Sequence, residues 1–162
     1  MIDLRKAFTS LAKHNVEFII VGGVAVRLHS SGHLTEDLDF CYSRAGANIR
    51  RLAAALAEFR PRPRGMDDKL PFIFDDGTLR NGTNFTFSTT IGDIDLLGEV
   101  KGVGTYADAI AHSIEFQIYG VAVKALDLNA LIRSKEAADR EKDRLVLPEL
   151  YALREALDPN EE

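Results

Sequence analysis

Two short segments carry a carboxylate at every second position, with large apolar residues between: Asp37-Leu38-Asp39-Phe40 and Asp93-Ile94-Asp95-Leu96. In a β-strand successive side chains point to opposite faces. Asp37 and Asp39 then share one face while Leu38 and Phe40 anchor the strand in a core, and the second segment repeats the pattern. Acids two apart along a strand stand about 6.6 Å from each other. Carboxylates this close repel unless a cation sits between them. Mg²⁺ demands oxygen ligands in near-octahedral order, and a fixed carboxylate pair supplies them. If the two strands are neighbours, three or four acids converge.

The bulk composition sets few further limits. The chain has 162 residues, 46% of them hydrophobic and 28% charged. That length fits one domain able to bury a sizeable core. The expected extent is residues 1–157, with 158–162 a frayed tail. The single Cys41 excludes an intramolecular disulfide framework and suits a reducing compartment. Met1-Ile2-Asp3 is followed by no apolar run of signal-peptide type, and the longest apolar stretch, Phe18 to Val26, is too short to span a membrane. The expectation is a cytoplasmic protein without a membrane partner. A net charge of −5 argues against tight nonspecific binding to nucleic acid but leaves room for a local basic patch.

Along the chain, Asp3 is placed to cap a helix carrying Leu4, Phe8 and Leu11, which ends at His14-Asn15. Val16 to Val21 reads as a buried strand, Gly22-Gly23 as a turn, and Val24 to His29 as a short helix. The acidic strand runs from about Glu36 to Tyr42, and Asn48 to Phe59 forms the clearest amphipathic helix. Arg60-Pro61-Arg62-Pro63-Arg64-Gly65 is extended and basic. Strands are expected at Leu70–Phe74, Asn84–Thr89 and Asp93–Leu97, and a hairpin at Ser113–Tyr119 and Val121–Ala125. From Asp127 the chain is helical, with a break near Asp139-Arg140 or at Pro148. Helices and strands alternate and then strands follow strands, which implies an α+β (mixed α/β) domain around a central sheet.

The acids gain meaning from their setting. Gly22-Gly23 lets a backbone approach a phosphate closely just before a helix N-terminus, where N–H groups and the dipole favour an anion. Thr35 supplies a hydroxyl, and Lys135 on a helix supplies a point charge for a triphosphate. Two divalent ions among the acids would suit phosphoryl or nucleotidyl transfer. Taken singly, each part also has a structural reading. An Asp-x-Asp is often a solvated strand end, and Gly-Gly is often a tight turn. The run from Arg133 to Arg144 reads as a solvated helix laced by pairs such as Glu136–Arg140. His29 and His33 lack a further ligand at zinc spacing.

Taken together, Val21-Gly22-Gly23-Val24-Ala25, His29, Thr35-Glu36-Asp37-Leu38-Asp39-Phe40, Gly92-Asp93-Ile94-Asp95-Leu96-Leu97 and the pattern from Leu131 through Lys135, Ala138 and Arg140 to Lys142-Asp143 span nearly the whole chain. They resemble the nucleotidyltransferase superfamily with the DNA polymerase β-like fold, and within it the small bacterial enzymes related to AbiEii-type abortive-infection toxins. The resemblance implies a small mixed sheet flanked by helices and a catalyst dependent on Mg²⁺ or Mn²⁺. It implies that Asp37 and Asp39 bind metal, with Asp95 as third carboxylate and general base and Asp93 as its rival. Gly22, Gly23, Thr35 and Lys135 would bind the nucleotide, with Lys142 and Asp143 as secondary members. Two positions depart from the pattern: His33 stands where relatives often have Arg, and Gly22-Gly23-Val24 lacks the Ser common in the turn.

The expected activity is transfer of a nucleoside monophosphate from an NTP to a hydroxyl on an RNA 3′ end, a protein or a small molecule. A toxin role with a cognate antitoxin is compatible with that reading. The alternative is a nucleotide- or partner-binding module that kept the fold and lost turnover. Arg60, Arg62 and Arg64 would either meet an RNA end or form a solvated loop.

Overall fold

The computed structural model describes residues 1–30 and 37–157. Asp3 accepts the Lys6 N–H at 3.1 Å and caps α1 (Leu4–Lys13), which buries Ala7, Phe8 and Leu11. The chain turns at Asn15, in the left-handed region at φ 55°, into β1 (Phe18–Val21), all four residues of which are buried. There follow α2 (Gly22–His29), β2 (Asp37–Tyr42) and α3 (Gly46–Ala57). Then come β3 (Arg62–Pro63), α4 (Asp76–Arg80), β4 (Phe85–Thr89) and β5 (Gly92–Leu97). A small two-stranded piece, β6 (Glu99–Val100) with β7 (Gly104–Thr105), leads to α5 (Tyr106–Ile110). The hairpin β8 (Ser113–Ile118) and β9 (Val121–Leu126) precedes α6 (Leu128–Ala138) and α7 (Glu141–Leu157).

Seven strands form one mixed sheet in the order β3-β4-β5-β2-β1-β9-β8. The β2–β5 and β1–β9 pairs are parallel; the β1–β2, β3–β4, β4–β5 and β8–β9 pairs are antiparallel. With helices packed against it, this is the central sheet that the alternation of elements implied and the mixed, helix-flanked arrangement that the resemblance implied. Leu38, Phe40, Ile94 and Leu96 are fully buried, so the apolar face of both acidic strands is core. Phe40 meets Phe18 edge-on at 5.3 Å between ring centres. Ser10 on α1 donates to the Ala55 carbonyl on α3 at 2.7 Å, a buried bond that ties two of the flanking helices together.

The structure differs from expectation at several points. Residues 70–74 form no strand: Pro71 lacks the N–H a ladder needs. Phe74 instead packs edge-on to Phe87 at 5.5 Å, and Asp75 caps the short α4 through the Thr78 N–H. The C-terminal break falls at Asp139, whose φ of 48° ends α6, while α7 runs on through Pro148 because Leu147 and Leu150 on either side are buried. That break leaves Glu136 on α6 and Arg140 in the link to α7. Arg140 bonds Asp143, and Glu136 accepts from the Tyr151 hydroxyl. The expected Glu136–Arg140 pair is therefore not formed. The His29 ring Nε2 lies 2.7 Å from the Leu126 carbonyl, which gives that side chain a structural partner. Among the described residues no helix is long and apolar enough to cross a membrane.

Candidate active site

Strand register brings the acids together. In the parallel β2–β5 pair, Asp37 stands opposite Asp93 and Asp39 opposite Asp95. One carboxylate oxygen from each of Asp37, Asp39 and Asp95 falls within 4.8 Å of the others. Asp93 shares their face, but its carboxylate turns to Arg64, 3.2 Å from Nε. Asp37, Asp39 and Asp95 line a cleft of about 290 Å³ with Gly22, Lys135, Lys142 and Asp143. Asn84, Glu99 and Lys101 border the same cleft, and no pattern in the sequence had pointed to them. Gly23 is the second residue of α2, and Thr35 and His33 lie outside the described residues. A larger groove of about 670 Å³ runs beside α1, but its only acid is Glu58.

Gly22 explains how β1 and β2 can approach so closely at this end. Its φ is +65°, and a methyl group added there would collide with the Asp39 carboxylate. Val21, the residue before α2, has no side-chain group to cap the first N–H groups of that helix. The positive end of an eight-residue helix is thus presented beside the acids. Gly22→Ala is expected to displace the Asp39 side chain and strain the backbone. Its expected signature is a loss of about 1–2 kcal/mol of stability in denaturant titration, the scale of a residue forced into an unfavourable φ.

The electrostatics are those of an under-compensated anion cluster. Burial, then the Asp95 charge and a hydrogen bond shared with Asp95, push the Asp39 carboxyl up to about 7. One of its oxygens, Oδ1, is buried with no hydrogen-bond partner among the described residues. Burial also raises Asp37; Arg64 opposes that, and Asp95 and Asp93 reinforce it. A buried oxygen without a partner, facing two further carboxylates, suits a hard cation with oxygen preference. The donor set therefore fits Mg²⁺ or Mn²⁺.

The opposite wall is built differently. Asp143 is fully buried on α7; it accepts from Lys135 Nζ at 3.2 Å and from Arg140 Nε at 2.7 Å. Burial works against its charge, yet the bonds from Arg140 and Lys135 win, and its carboxyl lies below the usual range. Lys135 is thereby held at the cleft wall with only 8% of its surface exposed.

No protein-family model and no curated protein matches this sequence. Solved structures do match. LnuA, a lincosamide antibiotic adenylyltransferase with lincomycin bound, has a TM-score of 0.58 at 12% identity, over 88% of this chain and 90% of that one. ANT(2″)-Ia in complex with adenylyl-2″-tobramycin gives 0.57 at 17%, over 94% of this chain and 86% of that one. TM1012 of Thermotoga maritima gives 0.55 at 13%, over 99% and 97%. The chain has the nucleotidyltransferase fold. Within that fold, Arg64 takes a place its local sequence does not indicate. In a segment expected to face RNA or solvent, its guanidinium binds Asp95 Oδ1 at 2.6 Å. Arg62, in the same segment, donates to the Asp67 and Leu70 carbonyls and so ties down the loop that follows β3. Nothing local in Arg60–Gly65 could reveal the Arg64–Asp95 contact, because Asp95 lies 31 residues further along the chain.

Proposed function

We propose that this chain is a divalent-metal-dependent nucleotidyltransferase that moves a nucleoside monophosphate from an NTP to a hydroxyl acceptor. The observation that carries the reading is the converging triad, with an unpartnered Asp39 oxygen inside it, beside an uncapped helix start. The adenylyltransferase neighbours share the fold and add support.

Asp37, Asp39 and Asp95 would hold the metal. Bound there, a divalent ion would supply charge neutralisation for the transferring phosphoryl group and would lower the pKa of the attacking hydroxyl. The backbone of Gly22 and the first N–H groups of α2 receive phosphate oxygens. Lys135 adds a positive charge from the opposite wall, and Asp143 and Arg140 orient it. Asp95 accepts the proton of the acceptor hydroxyl. The acceptor oxygen bonds to the α-phosphorus, the bond to the bridging oxygen of the leaving group breaks, and pyrophosphate departs.

The acceptor is an RNA 3′ end, a protein hydroxyl or a small molecule; lincomycin bound to LnuA and adenylyl-2″-tobramycin bound to ANT(2″)-Ia support the small-molecule reading. A toxin role paired with an antitoxin would follow if the acceptor were an essential RNA or protein. The test is incubation with each α-labelled NTP, Mg²⁺ or Mn²⁺, and cell extract. Label is expected to enter an acceptor with the wild type and not with Asp39→Ala. Nucleotide binding without transfer under every metal and acceptor would favour the binding-module reading.

A further inference from the structure

We infer that Arg64 is a built-in counter-cation and positioning residue: it holds Asp95 for its role and competes with the divalent ion for the acid cluster. The inference rests on the metal-dependent reading above and assigns a new residue to it.

Sheet geometry makes the contact possible. The Arg64 N–H donates to the Thr86 carbonyl at 2.9 Å, which extends the β3–β4 pairing by one residue. Thr86 is opposite Asp95, and Asp95 is opposite Asp39. Arg64, Thr86, Asp95 and Asp39 therefore form one row across four neighbouring strands. Strands lie about 4.8 Å apart, so Arg64 must reach past β4 to meet β5. The residues it crosses, Thr86 and Ser88, are small and hydroxylated, and they leave room for the long side chain.

The guanidinium is then fixed from three sides. Nε faces Asp93 Oδ2 at 3.2 Å, and Nη2 bonds Asp95 Oδ1 at 2.6 Å and the Phe87 carbonyl at 3.1 Å. This planar fork both orients Asp95 and draws Asp93 aside. One oxygen of Asp95 is committed to a cation that never leaves, so an incoming metal meets a cluster already carrying one positive charge.

Arg64→Gln and Arg64→Lys separate charge from geometry. Equilibrium Mn²⁺ binding, read by electron paramagnetic resonance, is expected to tighten about tenfold in Arg64→Gln and to stay near wild type in Arg64→Lys. Turnover is expected to fall in both, because neither side chain reproduces the fork, while KM for the nucleotide changes little. Circular dichroism melts confirm that each variant is folded; should Arg64→Gln fail to fold, turnover and Mn²⁺ affinity of Arg64→Lys decide. Unchanged or weaker Mn²⁺ binding in folded Arg64→Gln, or full turnover in Arg64→Lys, overturns the role of Arg64 and leaves the transferase reading intact. No Mn²⁺ binding by the wild type overturns both.

Discussion

Asp39→Asn is expected to abolish nucleotidyl transfer and, in the metal-free protein at pH 8, to raise the melting temperature. The two effects share one cause. In the folded chain burial and Asp95 lift the Asp39 carboxyl from 3.8 to about 7. The folded state thus keeps a proton that the unfolded state has released. By linkage, stability contributed by this group falls as pH rises from about 4 to about 7, and the loss is complete above that. Asparagine cannot ionise and escapes the penalty. Because the acids titrate together, we assign it about 1–2 kcal/mol, well under the full shift, or about 2–8 °C for a chain of this size. Mg²⁺ should stabilise the wild type at pH 8 and less so at pH 6, where the proton competes for the same oxygens, and should leave the variant unmoved. Transfer should fall by at least about a hundredfold, the scale of losing one charge-stabilising group in a transition state. Differential scanning calorimetry at the two pH values, with and without Mg²⁺, checks the thermal part. An Asp39→Asn protein less stable than wild type at pH 8 would mean that the carboxylate is a satisfied structural group.

The second large effect is expected at Asp143. Asp143→Ala leaves the Lys135 ammonium, 8% exposed, beside an empty space and without its partner. Breaking a buried ion pair from one side costs about 3–5 kcal/mol. The lower end applies here, since the Arg140 side chain is 57% exposed and can turn to water. Urea titration should show a loss of about 3 kcal/mol with little change in slope. The double variant Asp143→Leu with Lys135→Met should recover much of that stability, because an apolar pair of similar volume needs no compensation. It should not recover transfer if Lys135 supplies the proposed charge at the phosphates. Recovery of transfer in the double variant would remove Lys135 from the phosphate site.

Much of the architecture was legible because it depends on local alternation. Phe18–Val21 declares itself by a continuous apolar run rich in β-branched residues, Asp37–Tyr42 and Gly92–Leu97 by acids alternating with apolar residues, and the helices by caps and stripes. The segment at Leu70–Phe74 misled because an apolar run does not reveal whether its backbone has a strand to pair with. The short β6, β7, α4 and α5 are too brief for any period to register. Lys135 and Asp143 were each legible as site members through the resemblance of the Leu131–Asp143 pattern, but their pairing and burial were not: both arise where α6 folds back on α7 at Asp139.

By itself the amino-acid sequence determined that two strands would each expose two acids on one face, with a glycine turn able to lie close to them. Those are properties of neighbouring residues and of the strand's two-residue repeat. Tertiary structure alone decided that Asp39 lies opposite Asp95, that Gly22 packs against Asp39, and that Arg64 reaches over β4 to pair with Asp93 and Asp95. Pairing register and cross-strand reach depend on where distant segments meet, and a charge finds its partner only once the sheet has closed.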